Sequence, residues 1–407
     1  MANTLLTISM ITREALRILE NNLTFTKYVR RDFDDSFGRA GAKIGTVLNI
    51  RKPPRYVGRV GQGLQIEDAT ETSVPLTLNT QRGVDIAFTS QDLALSIDDF
   101  SDRFVKPAIA NVANFIDFDG MGQYLNVYNE IGTPGTVPAA LLTYLQAGQR
   151  LDEEAAPRDN ARALVISPAM QATIVDTLKG LFQSSQDIAE QYEKGTMGQV
   201  IGFKWSMDQN TRTQQVGAYG TSAPTVTVAG QTGNSILTTG WTATTQVLNQ
   251  GDVITFAGVF AVNPQNKQST GSLRQFVVTA NVTSAGGGTA TIPISGPGGL
   301  GIVTAGAFQT VTNSPAAGAV ITVSGASGVG PSPRGLAFHK DAFALGCADL
   351  PLPGGVDMAS RVSDKQLGMS IRLVRAYDIN TDRFPCRLDI LYGWTTLYPE
   401  LAVRVAS

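Results

Sequence analysis

The residues that could do chemistry in this chain are few, and their spacing is poor for it. A single histidine, His339 in GLAFHKDAF, would have to serve any Ser-His-Asp or Cys-His mechanism, and one histidine excludes every multi-histidine metal site. It falls at the expected end of a strand, near a turn. Cys347 and Cys386 share no close-spaced motif and read as buried thiols of a reducing compartment. Acidic pairs occur at Asp98-Asp99, Asp117-Asp119 and Asp152-Glu153-Glu154. The first suits a helix N-terminus and the last a solvated helix end. Two residues apart on a helix, Asp117 and Asp119 do not share a face. The fragment DFDG is too short for a calcium loop. The glycines of VGRVGQGLQ run G-x-x-G-x-G, with neither Lys-Ser/Thr nor a helical pattern after them, so they make no phosphate loop. No catalytic, cofactor or metal site converges, and enzymatic activity is not expected.

Charge is instead concentrated on one long connection. IGTVLNIRK enters a hairpin over residues 44–88, and VPLTLNTQRGVDIAF returns with Val74, Leu76 and Leu78 alternating. The polar stretch between them is longer than compact domains tolerate without a purpose. Its charges are segregated: Arg51, Lys52, Arg55 and Arg59 come first, then Glu67, Asp68 and Glu71. Nucleic acid is a poor match for these cations, because acids balance them and Tyr56 is the only aromatic residue among them. An extended arm that pairs with charges on another subunit fits better, so these seven are the candidate site residues.

Several elements must position that connection. Leu16, Leu19 and Leu23 mark an amphipathic helix over 11–23, which either packs on its own domain or docks on a neighbour. A long helix is expected over 96–119. Ser96 is its cap, Val105, Ile109, Val112 and Ile116 form its apolar stripe, and Pro107 kinks or restarts it. Two further helices follow over 138–151 and 168–182. The second is capped by Ser167, has Pro168 at its first position and is preceded by the strand ALVIS. Strands over 369–378 and 386–394 and a last strand, LAVRVA, close the chain. In the second of these, Leu388, Ile390, Tyr392 and Trp394 take one face, and Arg387 and Asp389 take the other. The body therefore reads as α+β.

At 407 residues the chain is long enough for two or three domains. One stretch has a composition of its own. From 213 to 333 the only charged residues are Asp252, Lys267 and Arg274, and Gly, Thr, Ser, Val and Ala dominate. Short β runs such as GDVITFAGVF, RQFVVTANV and TATIPIS recur between turn residues, which predicts a small all-β barrel or sandwich. Trp241, Phe256, Phe260 and Phe276 supply core and argue against a disordered linker. The α+β body thus begins, is interrupted and resumes. A net charge of −2 gives no general pull toward nucleic acid or an anionic membrane. No run reaches the length of a spanning helix, and the N-terminus lacks the pattern of a signal peptide.

Taken in order, these segments resemble the tailed-bacteriophage major capsid (coat) proteins of the HK97 fold, in particular the phage P22 type with its inserted I-domain. The resemblance is carried by RFVKPAIANVANFIDFDG, by LVISPAMQATIVDTL with EKGTMGQVIGFKWSMDQN, and by FPCRLDILYGWTTLYPELAVRV with Gly393 at the family's usual glycine. It is carried most of all by GDVITFAGVFAVNPQNKQSTGSLRQFVVTANVTS. The resemblance implies an N-arm over 1–43, an E-loop over 44–90 and a P-domain with its spine helix over 91–138. It further implies a first part of the A-domain over 139–217, an inserted β-barrel I-domain over 218–333 and closing A/P strands over 334–407.

The same resemblance implies a function. Hexamers and pentamers of the chain build an icosahedral shell around packaged dsDNA, by way of a procapsid assembled on a separate scaffolding protein, with a portal at one vertex. The DNA is contacted non-specifically, no membrane is involved, and assembly takes place in the host cytoplasm before the subunit resides in the virion. A tail-tube or head-decoration protein is the alternative.

Overall fold

The computed structural model describes residues 12–13, 15–19, 23–31, 47–59, 61–89, 106–178, 199–220, 223–364 and 368–407. They divide into two compact units: Met1–Ile50, Ser73–Gly120 and Ala344–Thr395 form the first, and Arg51–Thr72, Met121–Phe343 and Thr396–Ser407 the second. Asp98, Asp99 and the first part of the helix expected over 96–119 lie outside the described residues.

In the first unit the leading strands are β1 (Val47–Lys52), β2 (Thr72–Thr77) and β3 (Thr80–Thr89), with β1 paired to β2. The expected returning strand is thus two strands, broken at Leu78-Asn79. β3 leaves the hairpin and pairs along ten positions of β21 (Arg383–Thr396), from Arg383↔Thr89 to Tyr392↔Thr80. β21 lies between β18 (Phe343–Ala348) and β20 (Met369–Arg375), and β19 (Met358–Asp364) is at the edge. Gly393 is required here, because a Cβ on it would lie 2.0 Å from the Thr77 carbonyl oxygen. Asp389, on the face opposite Leu388 and Ile390, is nevertheless buried. Arg372 grips it through Nε (2.9 Å) and Nη2 (2.6 Å), and the Gln81 amide donates to it at 2.6 Å.

Helix α1 is described over Lys106–Met121, with Pro107 at its second described position. Ile109, Val112 and Ile116 bury its apolar stripe completely. The carboxylates of Asp117 and Asp119 do turn to different partners. Asp117 accepts from the backbone N–H groups of Thr24 (2.6 Å) and Thr26 (2.9 Å), and Asp119 accepts from the Tyr392 hydroxyl (2.7 Å). Leu16, Leu19 and Leu23 are all buried, so this arm packs within its own chain.

The second unit is built on a mixed sheet. Its strands are β4 (Glu130–Ile131), β5 (Arg162–Ile166), β6 (Gln199–Val200), β7 (Phe203–Met207), β8 (Thr213–Gln214), β17 (Ser332–His339) and β22 (Ala402–Ala406). The order is β4-β22-β17-β5-β7-β6, with β8 also on β17. Helices α2 (Leu141–Glu153) and α3 (Pro168–Leu178) cover it through Tyr144, Leu151, Met170 and Ile174. The Ser167 hydroxyl caps α3 by accepting from the Met170 N–H at 3.3 Å.

Between β8 and β17 the chain closes a β-barrel. Its strands are β9 (Thr225–Val226), β10 (Ser235–Thr239), β12 (Val253–Val262), β13 (Ser269–Val278), β15 (Ala290–Ser295) and β16 (Ile321–Val323), in the order β16-β12-β13-β15-β10-β9, and β11 (Gln246–Leu248) pairs separately with β14 (Val282–Thr283). Backbone bonds from Ile321 N–H to Pro224 O (2.9 Å) and from Val226 N–H to Ala319 O (3.0 Å) join the two ends. Ile236, Trp241, Ile254, Phe256, Phe276, Ile292 and Ile294 fill the interior. Phe260, expected in this core, is 39% exposed. Gly258 at φ +77° introduces a bulge, and the β12–β13 register slips between Thr255↔Gln275 and Phe260↔Leu273. Beyond it Val259 and Ala261 face inward and Phe260 faces out.

The barrel's scarce charges have defined places. Lys267 Nζ donates to the carbonyls of Pro264 (2.7 Å) and Ala307 (2.6 Å). Asp252, 3% exposed, accepts from Gly217 N–H (2.9 Å), Asn249 N–H (2.8 Å) and the Gln214 amide (3.1 Å), and burial pushes its carboxyl pKa up against these bonds. Arg274, 1% exposed, donates to Val262 O (3.0 Å), Thr310 O (3.1 Å) and the carboxylate of Glu154 at the end of α2. Glu154 is therefore not on a solvated helix end. It is 7% exposed, because the barrel covers it.

Glu130, on edge strand β4, completes the seam. Its carboxylate lies 3.3 Å from Arg334 Nε and 3.7 Å from Arg404 Nε, and it accepts from the Ser324 hydroxyl at 2.6 Å. The Gln275 amide pairs with Glu130 N–H and C=O, both at 2.9 Å, as a strand neighbour would.

Glu154→Ala leaves Arg274 buried and unpaired, and it is expected to destabilise the second unit by about 3–5 kcal/mol. Glu154→Leu combined with Arg274→Met should recover most of that loss. Urea unfolding followed by tryptophan fluorescence measures both. Cys347 and Cys386 are buried thiols, and burial raises the Cys386 thiol pKa to about 11. In the native chain, a disulfide reagent near pH 8 should label neither thiol appreciably, whereas the denatured chain should label at both. Absorbance of the released thiol reads the difference.

Candidate interaction site

The seven charged residues read from the sequence all fall on or beside the connection between β1 and β2, and most are held within the chain. Glu67 organises the loop. Its carboxylate accepts from Val57 N–H and Gly58 N–H, each at 2.7 Å, with Gly58 at φ +79°, which favours glycine. Arg59 turns back onto the carbonyls of Gly61 and, at 3.2 Å, Gly63. Arg51 and Glu71 approach to 3.8 Å across the base, with side chains 83% and 60% exposed. Such a pair is worth about 0–1 kcal/mol. Asp68 is exposed.

Lys52 and Arg55 turn the other way, toward the segment before β22. Lys52 Nζ sits 4.9 Å over the Tyr398 ring, and burial lowers its pKa, with Glu400 opposing and Arg55 adding to the shift. Arg55 donates to Glu400 at 2.5 Å. The acid that answers Arg55 therefore comes from the far end of the chain rather than from the nearby acidic cluster. No sequence pattern links positions 55 and 400.

The loop also exposes apolar residues that its charge pattern does not mark. Tyr56 and Val57 are 53% and 51% exposed, and Leu64 and Ile66 are 83% and 84% exposed. Fully covering a Leu or Ile yields about 1.5–3 kcal/mol, more than an exposed ion pair. Leu64 and Ile66, not the charges around them, are thus the residues with most to gain from a partner. Their signal in the sequence is two isolated aliphatics in a polar stretch.

Elsewhere the reactive side chains are committed to structure. His339 is 3% exposed. Its Nδ1 accepts from Asp341 N–H at 3.3 Å, and its Nε2 lies 3.0 Å from Asp159. A groove of about 770 Å³ beside α2 is lined by Leu145, Gln149, Asp152, Arg158, Arg162 and Ile201. Its one aspartate is already bound by Arg158 and, at 2.8 Å, by Arg162, and these bonds hold its pKa below the usual range. Among the described residues no three His, Cys, Asp or Glu side chains gather as a metal site.

Comparison with known proteins bears on the whole chain. The family model described as P22 coat protein, gene protein 5, matches residues 14–405. No curated protein sequence matches. Among solved structures, one described as Mycobacterium phage Che8 is similar over 94% of this chain and 92% of its own, at 12% identity and a TM-score of 0.46. The capsid of cyanophage P-SCSP1u is similar over 89% and 83%, at 10% identity and a TM-score of 0.43. The CUS-3 coat protein I-domain is 26% identical over 26% of this chain and 96% of its own, with a TM-score of 0.19. With the family matched from near the first residue to near the last, the chain belongs to the P22 coat protein family and is a major capsid protein.

Proposed function

We propose that the chain assembles as hexamers and pentamers into an icosahedral shell enclosing dsDNA, through a scaffolded procapsid that expands on maturation, with a portal at one vertex. Its role is structural and not enzymatic. It is made and assembled in the host cytoplasm and ends in the virion. The observation that carries the reading is the family match over 14–405. Among the described residues no helix is long and apolar enough to cross a membrane.

In this reading residues 1–43 are the N-arm, 44–90 the E-loop, 91–138 the P-domain, 139–217 the first part of the A-domain, 218–333 the I-domain and 334–407 the closing strands. The barrel's separate core supports an I-domain. So do its adjacent ends, where Ser332 pairs with Gln214 and Val216 N–H donates to Val329 O at 2.8 Å. An inserted domain needs neighbouring attachment points on its host. The exposed Leu64 and Ile66 support an E-loop that covers part of a second subunit, with any charge pairs made by Arg51, Arg59, Asp68 and Glu71 secondary to that apolar contact.

Electron microscopy of the full chain expressed with and without a scaffolding protein tests the proposal. Closed shells are expected, whereas stacked rings would favour a tail-tube protein and lasting monomers a decoration protein. Replacing both Leu64 and Ile66 with Asp should leave subunit unfolding within about 0.5 kcal/mol of the parent, because both side chains are on the surface. The same variant should abolish shells. Deleting residues 218–327 behind a short Gly linker uncovers Glu130 and Glu154, and is expected to give a body that folds less stably and does not close particles. Circular dichroism and sedimentation read the two effects separately.

A further inference from the structure

Glu400 occupies the short 3-10 turn Pro399–Leu401 immediately before β22, with its side chain 5% exposed. Its two carboxylate oxygens serve different parts of the molecule. Oε1 accepts from Arg55 at 2.5 Å, at the base of the loop. Oε2 accepts from the backbone N–H of Gly298 at 3.1 Å, in the barrel's turn Pro297–Gly299. Arg55 also places its guanidinium 6.0 Å over the ring of Phe308, another barrel residue. One buried carboxylate therefore joins three segments: the loop, the barrel and the turn before the last strand.

The arrangement is asymmetric in a useful way. Gly298 N–H is a fixed donor on the barrel, so Oε2 is positioned by backbone. That leaves Oε1 pointing at a defined place, and a guanidinium that binds it cannot slide as a solvated lysine could. Beyond Arg55 the loop holds its own shape through Glu67, Val57 and Gly58. The direction in which the whole loop leaves the body is then set at its base, by the Arg55–Glu400 bond and by Lys52 on Tyr398.

We infer that Glu400 is a positioning residue: it fixes the departure direction of loop 53–71 relative to the barrel, so that Leu64 and Ile66 are presented in one orientation. The inference concerns the single subunit, and it stands whether or not the loop tip covers a neighbour. The Leu64 and Ile66 variant above tests that separate claim.

Pulsed electron resonance on the unassembled full chain tests the positioning. Spin labels are placed at Gln62→Cys on the loop and Gln265→Cys on the barrel, both exposed sites. Cys347 and Cys386 are buried and stay unlabelled. The parent should show one narrow distance peak. Glu400→Gln keeps an acceptor for Gly298 N–H but presents an uncharged amide to Arg55, and should lose the narrow peak. Arg55→Met should lose it as well, and Arg55→Lys should keep it in part. Thermal unfolding of Glu400→Gln should stay near the parent, because the cation it leaves, Arg55, is 28% exposed and keeps access to solvent, which separates positioning from stability. A single narrow peak retained in both Glu400→Gln and Arg55→Met overturns the inference. So does a peak lost only together with global stability.

Discussion

Everything in the second unit depends on burying charge without leaving it unpaired. Barrel and body meet across a seam where Arg334 and Arg404 share Glu130, Asp252 is ringed by N–H donors, and Arg274 meets Glu154. Two arginines against two acids make the cluster around Glu130 and Asp252 close to neutral. A buried ion group of this kind adds little net stability over an apolar seam, but its removal on one side is severely costly. The seam therefore specifies how the barrel sits more than how tightly it holds. An apolar interface would accept small rotations, whereas the Gln275 amide clasping both polar groups of Glu130 accepts one register.

The loop follows the same logic with weaker means. Its interior is fixed by one carboxylate accepting two backbone N–H groups, and its base by a second carboxylate that also holds the barrel. In both places an acid acts as a local organiser of backbone and guanidinium groups. The loop's most uncovered apolar side chains are Leu64 and Ile66, beyond the half-exposed Tyr56 and Val57, which concentrates the free energy available for association at those two residues.

Much of this was legible in the sequence, and the reasons are local. The stripe of α1, the Ser167 cap, the glycine at 393 and the uncharged β stretch each depend on residues close in the chain or on backbone sterics. The failures are equally specific. Phe260 points outward because a single glycine at positive φ shifts the alternation, and a period-2 pattern carries no mark of where a bulge falls. Glu154 looked solvated because its run of acids matches a helix end, and only the tertiary arrival of Arg274 buries it. Glu400 as the partner of Arg55 is a pairing across almost the full chain, for which composition and spacing offer no signal. The seven charged positions fall on or beside one connection, yet the residues with most to gain from a partner there are Leu64 and Ile66.

The placement of the barrel's three charges has an electrostatic consequence. Asp252 and Arg274 are turned inward, and Lys267 is tied to two carbonyls. The remaining outer surface consists of hydroxyls, amides, glycines and scattered apolar side chains such as Leu237, Phe260 and Val320. Such a surface has almost no field of its own for counterions to screen, so its encounters depend weakly on ionic strength. It neither attracts nor repels a polyanion, and whatever it meets must be recognised by shape and short-range contact alone.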